Sequence, residues 1–167
     1  GRPLLIINAL MFTADYYWRK NIDALAENNR LIFPDMRGQG QSGKPNSSFT
    51  IAQLADDIED ICDQLGLEDI VLGGLALGAI AVLDYYKRYG SKRLAKVALM
   101  DFTPRLVSTE GWDHPTFGDF PAEMANGYAG AVRADRNVLQ DFIKGSFAEP
   151  PPDDEFQRLW AQSYLTP

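Results

Sequence analysis

The chain has 167 residues, the size of one domain, and its 46% hydrophobic content is ordinary for a soluble globular core. Sixteen Lys plus Arg stand against 23 Asp plus Glu, a formal net charge of -7 with no basic run, which argues against nucleic acid and anionic membrane as partners. The single cysteine, Cys62, rules out an internal disulfide, no apolar run approaches the roughly 18 residues of a membrane span, and "GRPLLIINAL" lacks the length and cleavage signal of a secretory leader; the expectation is a soluble, cytoplasmic protein.

In chain order, "LLIIN" (4–8) predicts a first strand, and the connection after it carries a helical pattern around Tyr17, Ile22 and Leu25. "RLIFP" (30–34) predicts a second strand. In "TIAQLADDIEDICDQLG", Thr50 and Gln53 are spaced for a capping box, Leu54, Ile58, Ile61, Cys62 and Leu65 fall on one helical face, and Gly66 supplies the stop. Cys62 lies in that apolar series, where it reads as a small buried hydrophobe. "DIVLGG" (69–74) predicts a third strand, a helix runs from about Leu77 to Tyr89 and ends at Gly90, and "AKVALMD" (95–101) predicts a fourth strand. The strand candidates are apolar continuously rather than alternately, which suits parallel strands covered on both faces. The alternation implies right-handed crossovers and a doubly wound α/β sheet. After Pro104 the pattern changes: 105–120 is loop-like, and "PAEMANGYAGAVRA", "RNVLQDFIKGSF" and "DDEFQRLWAQSYL" predict three short helices with no convincing further strand. The organisation expected is a core over 1–104 and a helical segment over 105–167.

One stretch carries the functional question. In "GGLALG", Gly74 and Gly78 flank Ala76 at minus two and plus two, after a strand and before a helix. A strand-to-helix elbow forces its middle residue to positive φ, and side chains two positions either side collide unless they are glycine. With Ser at position 76 the run would read G-x-S-x-G, a nucleophile lifted on a strained turn; with Ala76 there is nothing to attack with. By itself the run is equally consistent with a glycine-loosened strand-to-helix turn.

Three further stretches sit around it: "LLIINALMF" takes the first strand into a loop, "PDMRGQGQSGKP" follows the second, and "LMDFTPRL" follows the fourth. In this order and spacing the chain resembles the α/β-hydrolase fold family, in its esterase, haloperoxidase and epoxide-hydrolase-like branch. The resemblance covers about residues 3–105, and the tail resembles that family's helical cap only in composition. It implies a nucleophile-elbow hydrolase acting on a small ester or related acyl compound, with no cofactor. Matched position by position, Ala76 takes the nucleophile site, Leu77 the residue whose backbone N–H forms half of the oxyanion hole, and Leu10 the other half. Asn8 and Ala9 stand where the family usually has His-Gly, and the Cβ of Ala9 is expected to crowd the loop. Asp35, Arg37, Gly38, Gly40 and Ser42 match a D-x-R-G-x-G-x-S turn whose expected work is structural, Asp35 and Arg37 pinning the loop through charged hydrogen bonds. Asp101 ends the fourth strand at the edge where open α/β sheets gather active-site residues; it reads either as the acid or as a cap on the loop that follows.

His114 is the only histidine. It precedes the helical tail, whereas the family's histidine arrives after the last strand; it reads as a loop residue, with a substrate contact or unusual base as the alternative. Trp18, Trp112, Phe117, Phe120, Tyr128 and Trp160 either line a pocket or pack a core; Trp112, His114 and Tyr128 are the substrate-contact candidates. One His and one Cys cannot build a metal site, and Asp56, Asp57, Glu59 and Asp60 read as a solvated helix face. The family's sheet has two strands before the one at Leu4 and two after the cap. The resemblance therefore implies a truncated core plus part of a cap, four strands ordered second, first, third, fourth, and open edges that invite self-association or a complementing chain. Ala76 then marks either an engineered inactivation or natural decay. The alternative to an inactive hydrolase is a non-enzymatic binding or interaction module on the same fold.

Overall fold

The structure is a computed structural model that describes residues 1–46, 49–112 and 119–166. It divides into two compact units, residues 1–102 with 165–167, and residues 103–164. The first unit is a parallel four-stranded sheet with flanking helices, in the order β1 (Arg2–Ile7), α1 (Ala14–Trp18), α2 (Ile22–Ala26), β2 (Asn29–Ile32), α3 (Ile51–Leu65), β3 (Ile70–Leu75), α4 (Leu77–Tyr89) and β4 (Leu94–Met100). The strands lie in the order β2-β1-β3-β4, as the sequence predicts, with Ile7 opposite Gly74 and Leu75 opposite Met100 at the carboxyl end. The second unit holds α5 (Ala122–Ala134), α6 (Val138–Gly145) and α7 (Asp153–Ser163), with Ile143, Phe156 and Leu159 buried.

The core of the first unit lies between the sheet and the α3–α4 pair. Leu5, Ile7, Ile70 and Leu72 from the central strands pack with Leu54, Ile58 and Cys62 of α3 and Val82 and Tyr85 of α4. Each fully buried aliphatic side chain stabilises the fold by about 1.5–3 kcal/mol. Burial also pushes the Cys62 thiol up to about 11, so at neutral pH it is a protonated, inert core residue.

Several sequence expectations change in the folded chain. Helix α3 is capped by Thr50 Oγ1, which accepts from Gln53 N–H at 3.2 Å; the reciprocal bond of a full capping box is absent among the described residues. At the other end Leu65 turns out to solvent rather than to the core. Gly66 adopts the left-handed conformation, its N–H donates to Asp63 O and that of Leu67 to Cys62 O, and Leu67 takes the buried position. The first connection is two five-residue helices instead of one pattern, because the N–H of Asn21 closes a tight turn on Trp18 O at 2.7 Å.

The acidic face of α3 is not simply solvated. Asp57 receives both Arg37 Nε (2.6 Å) and Arg37 Nη2, Asp56 accepts from Arg88 and Tyr89, and Glu59 accepts from Tyr85 and Arg93. These bonds hold the Arg37 guanidinium above its usual pKa and the Asp56 carboxyl below its own. β4 also departs from expectation: unlike β1 and β3 it is not covered on both faces, and Val97 and Leu99 are exposed at 44% and 37%. A continuous apolar run records what a strand is built to bury, not whether a neighbour is there to bury it.

Candidate active site

The carboxyl end of β3 turns sharply into α4, and the turn residue is Ala76. Its backbone takes φ 50 and ψ -112, one of four non-glycine positive-φ residues among those described. The Ala76 N–H donates to Met100 O at 3.0 Å, tying the turn to the end of β4, and its carbonyl accepts the first helical bond, from Ala79 N–H at 3.0 Å. The two glycines are required by contact rather than by φ. A Cβ on Gly74 would lie 2.5 Å from Ala79 Cα, and one on Gly78 would overlap the Ile7 carbonyl oxygen and lie 2.7 Å from that of Asn8. Helix α4 therefore starts in backbone contact with the end of β1. Strain at a non-glycine residue in such a conformation costs on the order of 1–3 kcal/mol.

This close approach brings the loop after β1 beside the first turn of α4. Leu10, 48% exposed, and Leu77 line one cavity of about 710 Å³. Neither backbone N–H donates to another described residue. The loop itself is held from beneath. Asn8, buried, donates from Nδ2 to Pro34 O at 2.9 Å and accepts the Trp18 Nε1–H on Oδ1 at 2.5 Å, and Tyr17 donates its hydroxyl to Leu10 O at 2.6 Å. Burial pushes the Tyr17 phenol well above its usual range, with the neighbouring Tyr16 adding to it, so it stays a donor at any moderate pH. The positive φ of this loop falls at Met11 (φ 80), not at Ala9.

The turn after β2 forms the opposite wall. Asp35 accepts from Ala14 N–H at 2.7 Å and from Gln41 N–H at 2.8 Å, while Ser42 Oγ–H donates to Asp35 O at 2.6 Å. Gly40, at φ 49, has the Asp35 carboxylate where a Cβ would go. Asp35 thus pins the loop as expected, whereas Arg37 reaches out of it to Asp57 on α3. Between the two glycines stands Gln39, 5% exposed and lining the same cavity.

A strand-to-helix corner with flanking glycines, an open cavity, and unengaged N–H groups from a loop and from the first turn of a helix together form a fold signature shared with known proteins. The family model described as alpha/beta hydrolase fold matches residues 2–159. The chain belongs to that family. Among curated members it is 29% identical over 149 residues to the non-heme haloperoxidase of Rhodococcus erythropolis, covering 88% of this chain and 53% of the relative. It is 32% identical over 109 residues to a soluble epoxide hydrolase of Corynebacterium sp., covering 64% of this chain and 37% of that protein. The bromoperoxidase structure from Bacillus anthracis superposes with TM-score 0.87 at 26% identity, over 98% of this chain and 61% of the other. The chain spans about half the length of the curated haloperoxidase it matches.

Within this family frame, Ala76, Leu77 and Leu10 meet at one corner, and Asp101 follows Met100 directly, one step beyond the Leu75–Met100 register pair. Asp101 is exposed at φ 45 and bonds to no other described residue; the loop after it is held instead by Thr103 Oγ1–H on Arg105 O at 3.3 Å. Trp112 and Tyr128 belong to the second unit, where Tyr128 packs 6.5 Å from the Phe142 ring. His114 and Phe117 lie outside the described residues. Trp18 is a partner of Asn8 and packs at a tilt 5.5 Å from the Phe33 ring, and it does not line the cavity. Among the described residues, no cluster of three His, Cys, Asp or Glu is placed to hold a metal, and no helix is long and apolar enough to cross a membrane.

Proposed function

We propose that this chain is the ligand-binding core of an esterase-like hydrolase whose position 76 has no nucleophile, so that it holds a small ester or related acyl compound without turning it over. The supporting observation is the backbone at Ala76, strained at φ 50 between Gly74 and Gly78 beside the unengaged N–H groups of Leu10 and Leu77. In a parent with serine at this position, the hydroxyl oxygen attacks the acyl carbon and the two N–H groups hold the oxyanion. Such donors are worth about 2.7–4 kcal/mol each to a transition state formed there. The attack also needs a base to take the hydroxyl proton. The only histidine in the chain is His114, which precedes α5 in the sequence.

Ala76→Ser alone is therefore expected to leave the chain inactive. Mixing p-nitrophenyl acetate with the native chain and with this variant should give no stoichiometric burst of nitrophenolate from either. A burst from Ala76→Ser would mean that a base is at hand and would overturn the inactive reading.

A second reading is supported by β4, an edge strand with Val97 and Leu99 exposed. Unpaired edges with apolar side chains template pairing with another chain. Light scattering across a concentration series should then show self-association that Val97→Lys abolishes; a monomer throughout counts against it.

A further inference from the structure

Gln39 is a buried polar residue of the cavity wall whose side chain the fold does not use. Its main chain is fully engaged: the N–H donates to Met36 O at 2.9 Å and the carbonyl accepts from Ser42 N–H at 3.0 Å. Gly38 at φ 78 and Gly40 at φ 49 flank it, so the turn fixes the direction in which the side chain leaves. The residue is 5% exposed, lines the cavity shared by Leu10 and Leu77, and its side chain makes no hydrogen bond to a described residue. Neither carboxamide atom is fully sealed from solvent, so a ligand that fills the cavity must pair the group or strip it of water, and a group left unpaired costs about 1–3 kcal/mol. The rest of the loop has its polar groups satisfied: Asp35, Arg37, Ser42 and Lys44 each bond to protein. The remaining wall sets apolar Met36, Phe49 and Leu54 beside the polar Arg37, Lys44, Asn46 and Thr166. A cavity that joins apolar surface to a small number of fixed polar groups is the usual form of a selective small-molecule site.

We infer that Gln39 sets the specificity of this cavity: its carboxamide N–H groups donate to a carbonyl or hydroxyl oxygen carried on the acyl chain of the ligand, whose ester carbonyl lies at the Leu10 and Leu77 amides. The ligand class is thus an oxo- or hydroxy-acyl ester rather than a plain alkanoyl ester. This rests on the ligand-binding reading of the elbow given above. A site that offers a hydrogen bond from a buried group discriminates strongly against a ligand that cannot answer it, because the group is then left unpaired.

The test uses ethyl esters bearing a ketone at carbon four, five or six, each paired with the ester in which a methyl branch replaces the ketone oxygen. Affinities are read from the backbone amide signals of Leu10 and Leu77 in a titration of the isotope-labelled native chain. At least one keto ester is expected to bind about tenfold more tightly than its methyl partner, a difference of about 1.4 kcal/mol. Gln39→Met should equalise that pair, because no donor is then left to be paired or abandoned. Gln39→Glu, which at neutral pH accepts but cannot donate, should also lose the preference; thermal melts confirm that both variants are folded. Keto and methyl partners that shift the Leu10 and Leu77 signals with equal affinity would overturn the inference and leave the ligand-binding reading standing. Esters that leave those two signals unmoved would overturn that reading, and the inference with it.

Discussion

Gly78→Ala is expected to destabilise the chain by about 3 kcal/mol or more, measured as a fall in the urea midpoint of unfolding. The added Cβ meets backbone, not a side chain that can swing away: it overlaps the Ile7 carbonyl oxygen and approaches that of Asn8. Ile7 cannot retreat without losing its place opposite Gly74 in the β1–β3 ladder. Relief can come only by lifting α4 off the sheet, which uncovers Val82 and Tyr85, both buried in the core. Gly127→Ala is the matched control. It lies inside α5 with nothing within 4 Å of its added Cβ, and alanine there should stabilise the helix by up to about 1 kcal/mol. Equal effects at the two positions would mean that α4 does not start against the end of β1.

The second large effect is expected at Asn8. Asn8→Ala removes the acceptor of the Trp18 indole and the donor to Pro34 O at once, leaving two polar groups in a buried place unpaired. At about 1–3 kcal/mol for each abandoned group, with partial rescue by water, a loss of about 2–4 kcal/mol follows. For a chain of this size that lowers the melting temperature by roughly 5–15 °C. Trp18→Phe removes only the indole donor. The double variant should therefore cost less than the two single losses added together, because both report the same bond. Strict additivity would show that Asn8 and Trp18 act independently.

The architecture was largely legible in the amino-acid order. Four apolar runs, the Thr50 cap, the Gly66 and Gly90 stops and the Gly74-x-x-x-Gly78 spacing each encode a local choice, and these choices agree with one another. The parts that were not legible depend on partners far apart in the chain. Arg37 could be seen to be a pinning residue, yet nothing near it in sequence names Asp57 on α3 as its partner. Asn8 was visible only as a departure from a family pattern, while its role comes from Pro34 and Trp18, which folding brings to it. Gln39 carried no signal at all, because burial without a hydrogen bond is a property of the assembled cavity wall. The exposure of β4 was hidden for a related reason: Val97 and Leu99 are the right residues for a covered strand.

The elbow also explains why one small side chain matters so much. Residue 76 is carried at the carboxyl edge of the sheet by a turn that α4 and β4 both hold, through Ala79 N–H on the Ala76 carbonyl and Ala76 N–H on Met100 O. That geometry is costly for any residue with a Cβ, and an enzyme recovers the cost through the reactivity of what it displays. Here the cost remains and the displayed group is a methyl.

The stability of Ala76→Gly, measured by urea unfolding against the native chain, tests this most directly because its sign distinguishes the alternatives. Glycine relieves the left-handed strain at φ 50 and should raise stability by about 0.5–2 kcal/mol after its greater unfolded-state freedom is allowed for. If residue 76 instead continued a regular strand or helix, glycine would lower stability by roughly 0.5–1 kcal/mol, and that result would contradict the elbow.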